Sequence, residues 1–136
     1  MKIQKSSEDY LETMLMLSEQ RGYIKSIDIA RHLDVTKPSV SYATKRLREN
    51  GYITMDDDGL IHLTETGMSI ATKIYDRHKM LSRFLNLLGI DKETADEDAC
   101  KIEHDISQET YEAICNHVNN FLEEFPAMNH EEEPSA

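Results

Sequence analysis

Apolar positions in this chain recur mostly three and four residues apart, which predicts a largely helical protein. Residues 7–21 read as a first helix, with Tyr10, Leu11, Met14, Leu15 and Leu17 on its apolar side. Ser6 or Ser7 can cap it, and Glu8 and Asp9 fall in the first turn, where the helix dipole favours acids. Gly22 ends it. Ser26 then caps a short helix over 27–33, and Asp34-Val35 makes a tight turn. Thr36 caps a longer helix over 37–50, with Pro38 in its first turn, where a missing N–H costs little. Val40, Ala43 and Leu47 mark its buried side, and Gly51 stops it. Short helix, tight turn and longer helix form the helix-turn-helix arrangement.

Two short β-type runs follow, over 52–55 and 60–63, around Asp56-Asp57-Asp58-Gly59. Asp-Gly between such runs signals a hairpin, and a hairpin directly after a helix-turn-helix is a wing. Thr64 or Thr66 caps a long helix to about residue 88, with Ile70, Ile74, Leu81, Leu85 and Leu88 as its stripe. His78 falls on that stripe, where a lone histidine is more often a hydrogen-bonded core residue than a ligand. Gly89 ends this helix, and Asp91 caps the next. Ser107 caps the last, over 108–125, and Pro126 closes it. The expected fold is mainly α with a small β-hairpin. A winged helix-turn-helix DNA-binding domain over 1–64 precedes an α-helical domain over 65–125. An acidic, disordered tail over 126–136 completes the chain.

Composition adds constraints. A chain of 136 residues fits one domain or two small ones sharing a helix. No apolar run approaches a membrane span, and the polar N-terminus carries no signal peptide. Cys100 and Cys115 do not make a disulfide framework, so reduced thiols in the cytoplasm are expected. The net charge of −11 argues against nucleic acid until its distribution is examined. Residues 1–80 carry 12 Lys/Arg and 12 Asp/Glu, whereas 81–136 carry 3 and 14. A neutral half with basic clusters can bind DNA, and an acidic half can hold cations.

The candidate chemistry follows that division. Segment 37–48 has four positive charges and no acid. Thr36, Pro38, Ser39, Ser41 and Tyr42 are placed to approach bases, and Lys37, Lys45 and Arg48 to approach phosphates. An ordinary solvated helix is the plainer account, but acid-free basic faces are uncommon in so acidic a chain. In the second half, Cys100, Glu103 and His104 stand at i, i+3 and i+4 of a helical segment, on one face. A thiolate, a carboxylate and an imidazole there can converge on one metal ion. Asp96, one turn earlier, could orient a ligand or add one. A solvated acidic helix with one buried Cys is the competing account. Asp9 and Glu12, three apart, are either surface carboxylates near a helix start or hard oxygen ligands facing another helix.

Several segments together give a more specific reading: Ser7-Glu8-Asp9-Tyr10-Leu11-Glu12, Asp28-Ile29-Ala30, Thr36-Lys37-Pro38-Ser39-Val40-Ser41, Leu63-Thr64-x-x-Gly67, Arg77-His78 and Ala99-Cys100-x-x-Glu103-His104. Over residues 6–125 the chain resembles the diphtheria toxin repressor family and its short branch, the manganese transport regulators. The resemblance implies a dimeric repressor that binds double-stranded operator DNA when loaded with Mn(II) or Fe(II), up to two ions per subunit. It also implies that 65–125 is the α-helical metal-binding and dimerisation domain, that the SH3-like third domain of longer members is absent, and that the repressor controls metal uptake. The lack of a long apolar run leaves no membrane partner expected. Carried over by position, the metal ligands are Asp9, Glu12, His78, Cys100, Glu103 and His104. Asp9 and Glu12 follow the manganese pattern, and Cys100 follows the iron pattern. Ser82 and Asp96 replace a Glu and a His of the iron branch's second site. A metal-independent winged-helix regulator and a small carboxylate-site metalloenzyme are the rival readings. The helix-turn-helix and the lack of a nucleophile set weigh against the enzyme.

Overall fold

The computed structural model describes residues 4–128. Its elements are α1 (Lys5–Arg21), α2 (Ser26–Leu33), α3 (Lys37–Glu49), β1 (Ile53–Met55), β2 (Ile61–Leu63), α4 (Glu65–Leu87), α5 (Lys92–Ile102) and α6 (Gln108–Glu124). Pro126–Met128 adds one 3-10 turn. The remainder of the tail expected to be disordered, with His130, lies outside the described residues. The chain divides into two compact units, and the boundary between Tyr75 and Asp76 falls inside α4.

The first unit is built around α1. Leu11 and Met14 are fully buried, and Leu15 and Leu17 nearly so. Ile29 of α2, Val40 and Leu47 of α3, and Ile53 and Ile61 of the hairpin join the same core cluster. Burying apolar surface at about 25 cal/mol per Å² makes this cluster the main stabilising term of the unit. Arg21 donates to Asp28 at 3.3 Å, tying the end of α1 to α2. Gly22 (φ 80°) takes the left-handed conformation that stops α1. Asp34 turns the chain between α2 and α3 at φ 54°. β1 and β2 pair antiparallel, Ile53 with Leu63 and Met55 with Ile61.

Thr64 and Gly67 fasten the start of α4 to the hairpin. Thr64 Oγ1 donates to the Gly51 carbonyl (2.7 Å) and accepts from Gly67 N–H (3.1 Å). Thr64 N–H donates to the Tyr52 carbonyl (3.0 Å). A Cβ at Gly67 would overlap that same carbonyl, so this position requires glycine.

Three details depart from the sequence reading. α1 begins at Lys5 behind Gln4, and neither Ser6 nor Ser7 caps it, because the helix extends past both. Ser26 is the first residue of α2 rather than its cap. Leu88, assigned to the buried stripe of α4, is 63% exposed, because it lies beyond the helix end at Leu87. The buried side of α4 runs instead through Gly67, Ala71, Ile74, Arg77 and Leu81.

Candidate metal centre and nucleic-acid interface

In the second unit, α4 supplies His78 and the end of α5 supplies the other groups. Asp91 caps α5 by accepting from Thr94 N–H at 3.2 Å. α5 itself ends at Ile102, so Glu103 is its C-cap and His104 lies in the following turn. The three residues therefore do not share a continuous helix, as their spacing had suggested. Glu103 nevertheless keeps helical dihedrals, φ −60° and ψ −28°, and its N–H donates to the Ala99 carbonyl. That is enough to bring its carboxylate toward Cys100 and His78.

The resulting cluster is compact. Glu103 Oε2 lies 3.0 Å from His78 Nδ1, and Glu103 Oε1 lies 3.3 Å from His104 Nε2. Cys100 Sγ lies 3.6 Å from the same His78 nitrogen. The side chains of Glu103 and His104 are 0% and 1% exposed, whereas Cys100 is exposed. Burial works against the charge on His78. Its hydrogen bonds to Cys100 and Glu103, and their negative charge, outweigh that and push its pKa up to about 10.

Asp96 does not join this cluster. It accepts a hydrogen bond from Ser82 Oγ, which pairs the two positions that depart from the iron-branch pattern. Asp9 and Glu12 stand on α1 in the first unit, one turn apart, and Glu12 is buried. Sequence reasoning gave no role to Arg77, which is buried beside His78 and hydrogen-bonds the Glu103 carbonyl. Its signals were its place in the Arg77-His78 pair and its spacing, three residues after Ile74 and four before Leu81, on the buried side of α4.

In the first unit, the residues expected to face DNA lie on α3 and at its N-cap. Thr36 caps it, accepting from Ser39 N–H at 3.3 Å, and its hydroxyl lies 2.9 Å from that of Ser39. Thr36, Lys37, Pro38, Ser39, Ser41, Tyr42, Lys45 and Arg48 are all exposed. Tyr42 is 65% exposed, with the Arg46 guanidinium 5.8 Å from its ring centre. The N-terminal end of α3 thus offers hydroxyls and an aromatic ring, and its later turns offer cations. At the hairpin, Asp56 accepts from the N–H groups of Asp58 and Leu60 and pairs with His62 at 3.0 Å. The acidic tip is thereby partly engaged within the wing itself.

Two family descriptions match the chain. The N-terminal DNA-binding domain of iron-dependent repressors matches residues 2–61, and their metal-binding and dimerisation domain matches residues 64–130. The chain belongs to the iron-dependent repressor family. It is therefore a metal-dependent transcriptional regulator, not an enzyme, and both rival readings of the sequence fall away. This repressor is similar to an HTH-type transcriptional regulator of Methanocaldococcus jannaschii, with 38% identity over 88% of this chain and 94% of that one. It is also similar to the transcriptional regulator MntR of Bacillus subtilis, with 34% identity over 88% of this chain and 84% of that one. Among solved structures, the manganese regulator SloR superposes with a TM-score of 0.73 at 30% identity. That match covers 88% of this repressor, which spans 55% of the length of the SloR chain. The likeness to diphtheria toxin repressor-type regulators thus extends over both halves. No helix among the described residues is long and apolar enough to cross a membrane.

Proposed function

We propose that this repressor works as a cytoplasmic homodimer whose operator affinity is set by Mn(II) or Fe(II). The ligands are Asp9, Glu12, His78, Cys100, Glu103 and His104. The supporting observation is the fully buried Glu103 carboxylate with two imidazoles and a thiol gathered around it. Ionisable groups are expensive to bury unless paired or ligating. One carboxylate, two imidazoles and a thiol form a hard-to-borderline donor set, and the carboxylates of Asp9 and Glu12 harden it further, as Mn(II) and Fe(II) prefer. The name of SloR as a manganese regulator supports the same choice. Cys100 is the soft member of the set and favours Fe(II) over Mn(II).

When bound, a divalent ion supplies positive charge to this cluster. His78 must release its proton for its nitrogen to serve as a donor. Glu103 and His104 present oxygen and nitrogen from the end of α5. Asp9 and Glu12 contribute carboxylates from α1, which belongs to the DNA-binding half. Without compensation these carboxylates repel one another, and the two halves are less firmly joined. Tying them sets the two α3 helices of the dimer at a spacing that suits successive major grooves. The preference required is about 1–3 kcal/mol, a typical coupling energy. Lys37, Lys45 and Arg48 hold phosphates, while Thr36, Pro38, Ser39, Ser41 and Tyr42 approach bases. The exposed Leu88, Ile102, Phe125 and Met128 of the second unit provide apolar surface for a twin chain.

The test is to select duplexes from a random pool with Mn(II) present, then titrate them by fluorescence anisotropy. About tenfold or greater tightening with Mn(II), relative to chelator, is expected for a coupling near 1.4 kcal/mol. Equal affinity in chelator and in both metals would overturn the reading.

A further inference from the structure

Arg77 is 8% exposed, yet its hydrogen bonds run to neutral acceptors. Nη1 donates to the main-chain carbonyls of Glu103 (3.1 Å) and Ile106 (3.2 Å). Nη2 donates to Gln108 Oε1 at 2.7 Å. The Tyr111 ring centre lies 5.1 Å from the guanidinium carbon. A buried guanidinium in such a place is costly unless its donors are used. Here both Nη groups are spent on one turn, between the end of α5 and the start of α6, while Nε–H has no hydrogen-bond partner among the described residues.

That turn needs an external anchor. α5 stops without a glycine, and the last carbonyls of a helix have no partner within it. Asp105 N–H donates to the Ile102 carbonyl at 3.1 Å, which tightens the turn. The Glu103 and Ile106 carbonyls are met by Arg77. Glu103 is held at its other end as well, since its carboxylate lies 3.0 Å from Nδ1 of His78. Arg77 and His78 are successive residues of α4 and project about 100° apart. Only a long, forked side chain can reach around to the backbone of the residue that its neighbour holds by the carboxylate. A lysine carries the charge but not the planar fork.

We propose that Arg77 is a positioning residue of the metal centre. By holding the Glu103 carbonyl while His78 holds the Glu103 carboxylate, it sets Glu103 and His104 in ligating positions before an ion arrives. The proposal rests on the reading that these residues bind the ion. Groups that orient metal ligands commonly change affinity by about 10–100-fold when removed. Ordering the turn beforehand lowers the conformational entropy lost on binding. The same fork reaches Gln108 in the first turn of α6, so the ligand turn and the start of α6 move as one piece.

The experiment compares the full wild-type chain with Arg77→Lys and Gln108→Ala. Mn(II) affinity is read from the electron paramagnetic resonance signal of unbound Mn(II). The visible spectrum of the Co(II)-saturated protein reports ligand geometry, and thermal unfolding of the metal-free protein reports stability. Arg77→Lys should bind Mn(II) about 10–100-fold more weakly and shift the Co(II) spectrum at saturation. Gln108→Ala, an exposed position that leaves both carbonyl bonds in place, should shift affinity in the same direction by a smaller factor. Wild-type affinity and spectrum in Arg77→Lys would overturn the proposal, however far its melting temperature fell. Should Arg77→Lys not fold, Gln108→Ala decides: unchanged affinity and spectrum there overturn it. A wild-type chain that binds no Mn(II) or Co(II) overturns the metal-centre reading itself, an outcome distinct from loss confined to the variants.

Discussion

The two units are stabilised by different means. Among the described residues, the first gathers thirteen buried apolar side chains, from Tyr10 to Ala71, in one cluster. The second buries Leu81, Ala95, Ala99, Val118 and Leu122, two of which are alanines. It also carries nearly all the excess acid, with 14 Asp/Glu against 3 Lys/Arg over residues 81–136. Its most buried polar group is a carboxylate, Glu103. A DNA-reading unit can be rigid whatever the metal supply. In the single chain the second unit combines few buried apolar side chains with an ionisable cluster of Glu103, His78 and His104.

The largest effect that could break this contrast is in the first core. Leu11→Ala removes a fully buried side chain and should cost about 2–5 kcal/mol of stability. Denaturant unfolding should show the same loss with and without Mn(II). A loss that vanished with Mn(II) would mean that the first unit is not self-supporting. Next, Mn(II) at a hundred times its Kd should stabilise the wild type by about 2.7 kcal/mol. Glu103→Ala should gain nothing from the same addition in a thermal shift measurement.

A smaller effect concerns protons. His78 has a pKa of about 10 in the folded protein against an ordinary 6.5. A raised value means that the protonated form favours folding. The contribution is fully present below pH 6.5 and is lost as pH rises through about 10. Metal-free protein should therefore lose stability across that window, and His78→Gln should flatten the slope. Metal affinity should run the opposite way, rising with pH as the competing proton leaves. The smallest effect is on DNA. Lys45→Ala should reduce the slope of log affinity against log salt by about 0.9. An unchanged slope would remove Lys45 from the phosphate contacts.

Much of the fold was legible because its punctuation is local. Thr36, Asp91 and Ser107 cap the helices assigned to them, and Gly22, Gly51 and Gly89 take left-handed turns at helix ends. The acidic hairpin was readable from Asp-Gly between β-type runs. The site was legible in part. Spacing brought Cys100, Glu103 and His104 together, and resemblance added His78, which the structure places 3.0 Å from Glu103. What was missed depends on partners distant in sequence. The Ser82 hydroxyl that takes up Asp96 is fourteen residues away, and the carbonyls held by Arg77 are 26 and 29 residues away. The end of α5 was misread for the same reason, since no glycine marks it and the arginine that meets the Glu103 and Ile106 carbonyls lies on another helix.

The central proposal is that Asp9 and Glu12 belong to the ion's ligands together with His78, Cys100, Glu103 and His104. Equilibrium dialysis of Mn(II) against the wild type, Glu12→Ala and Glu103→Ala tests it most directly. The account predicts that each single substitution, one in either unit, severely weakens binding while the metal-free protein still folds. Wild-type affinity in Glu12→Ala, with loss confined to Glu103→Ala, would contradict it.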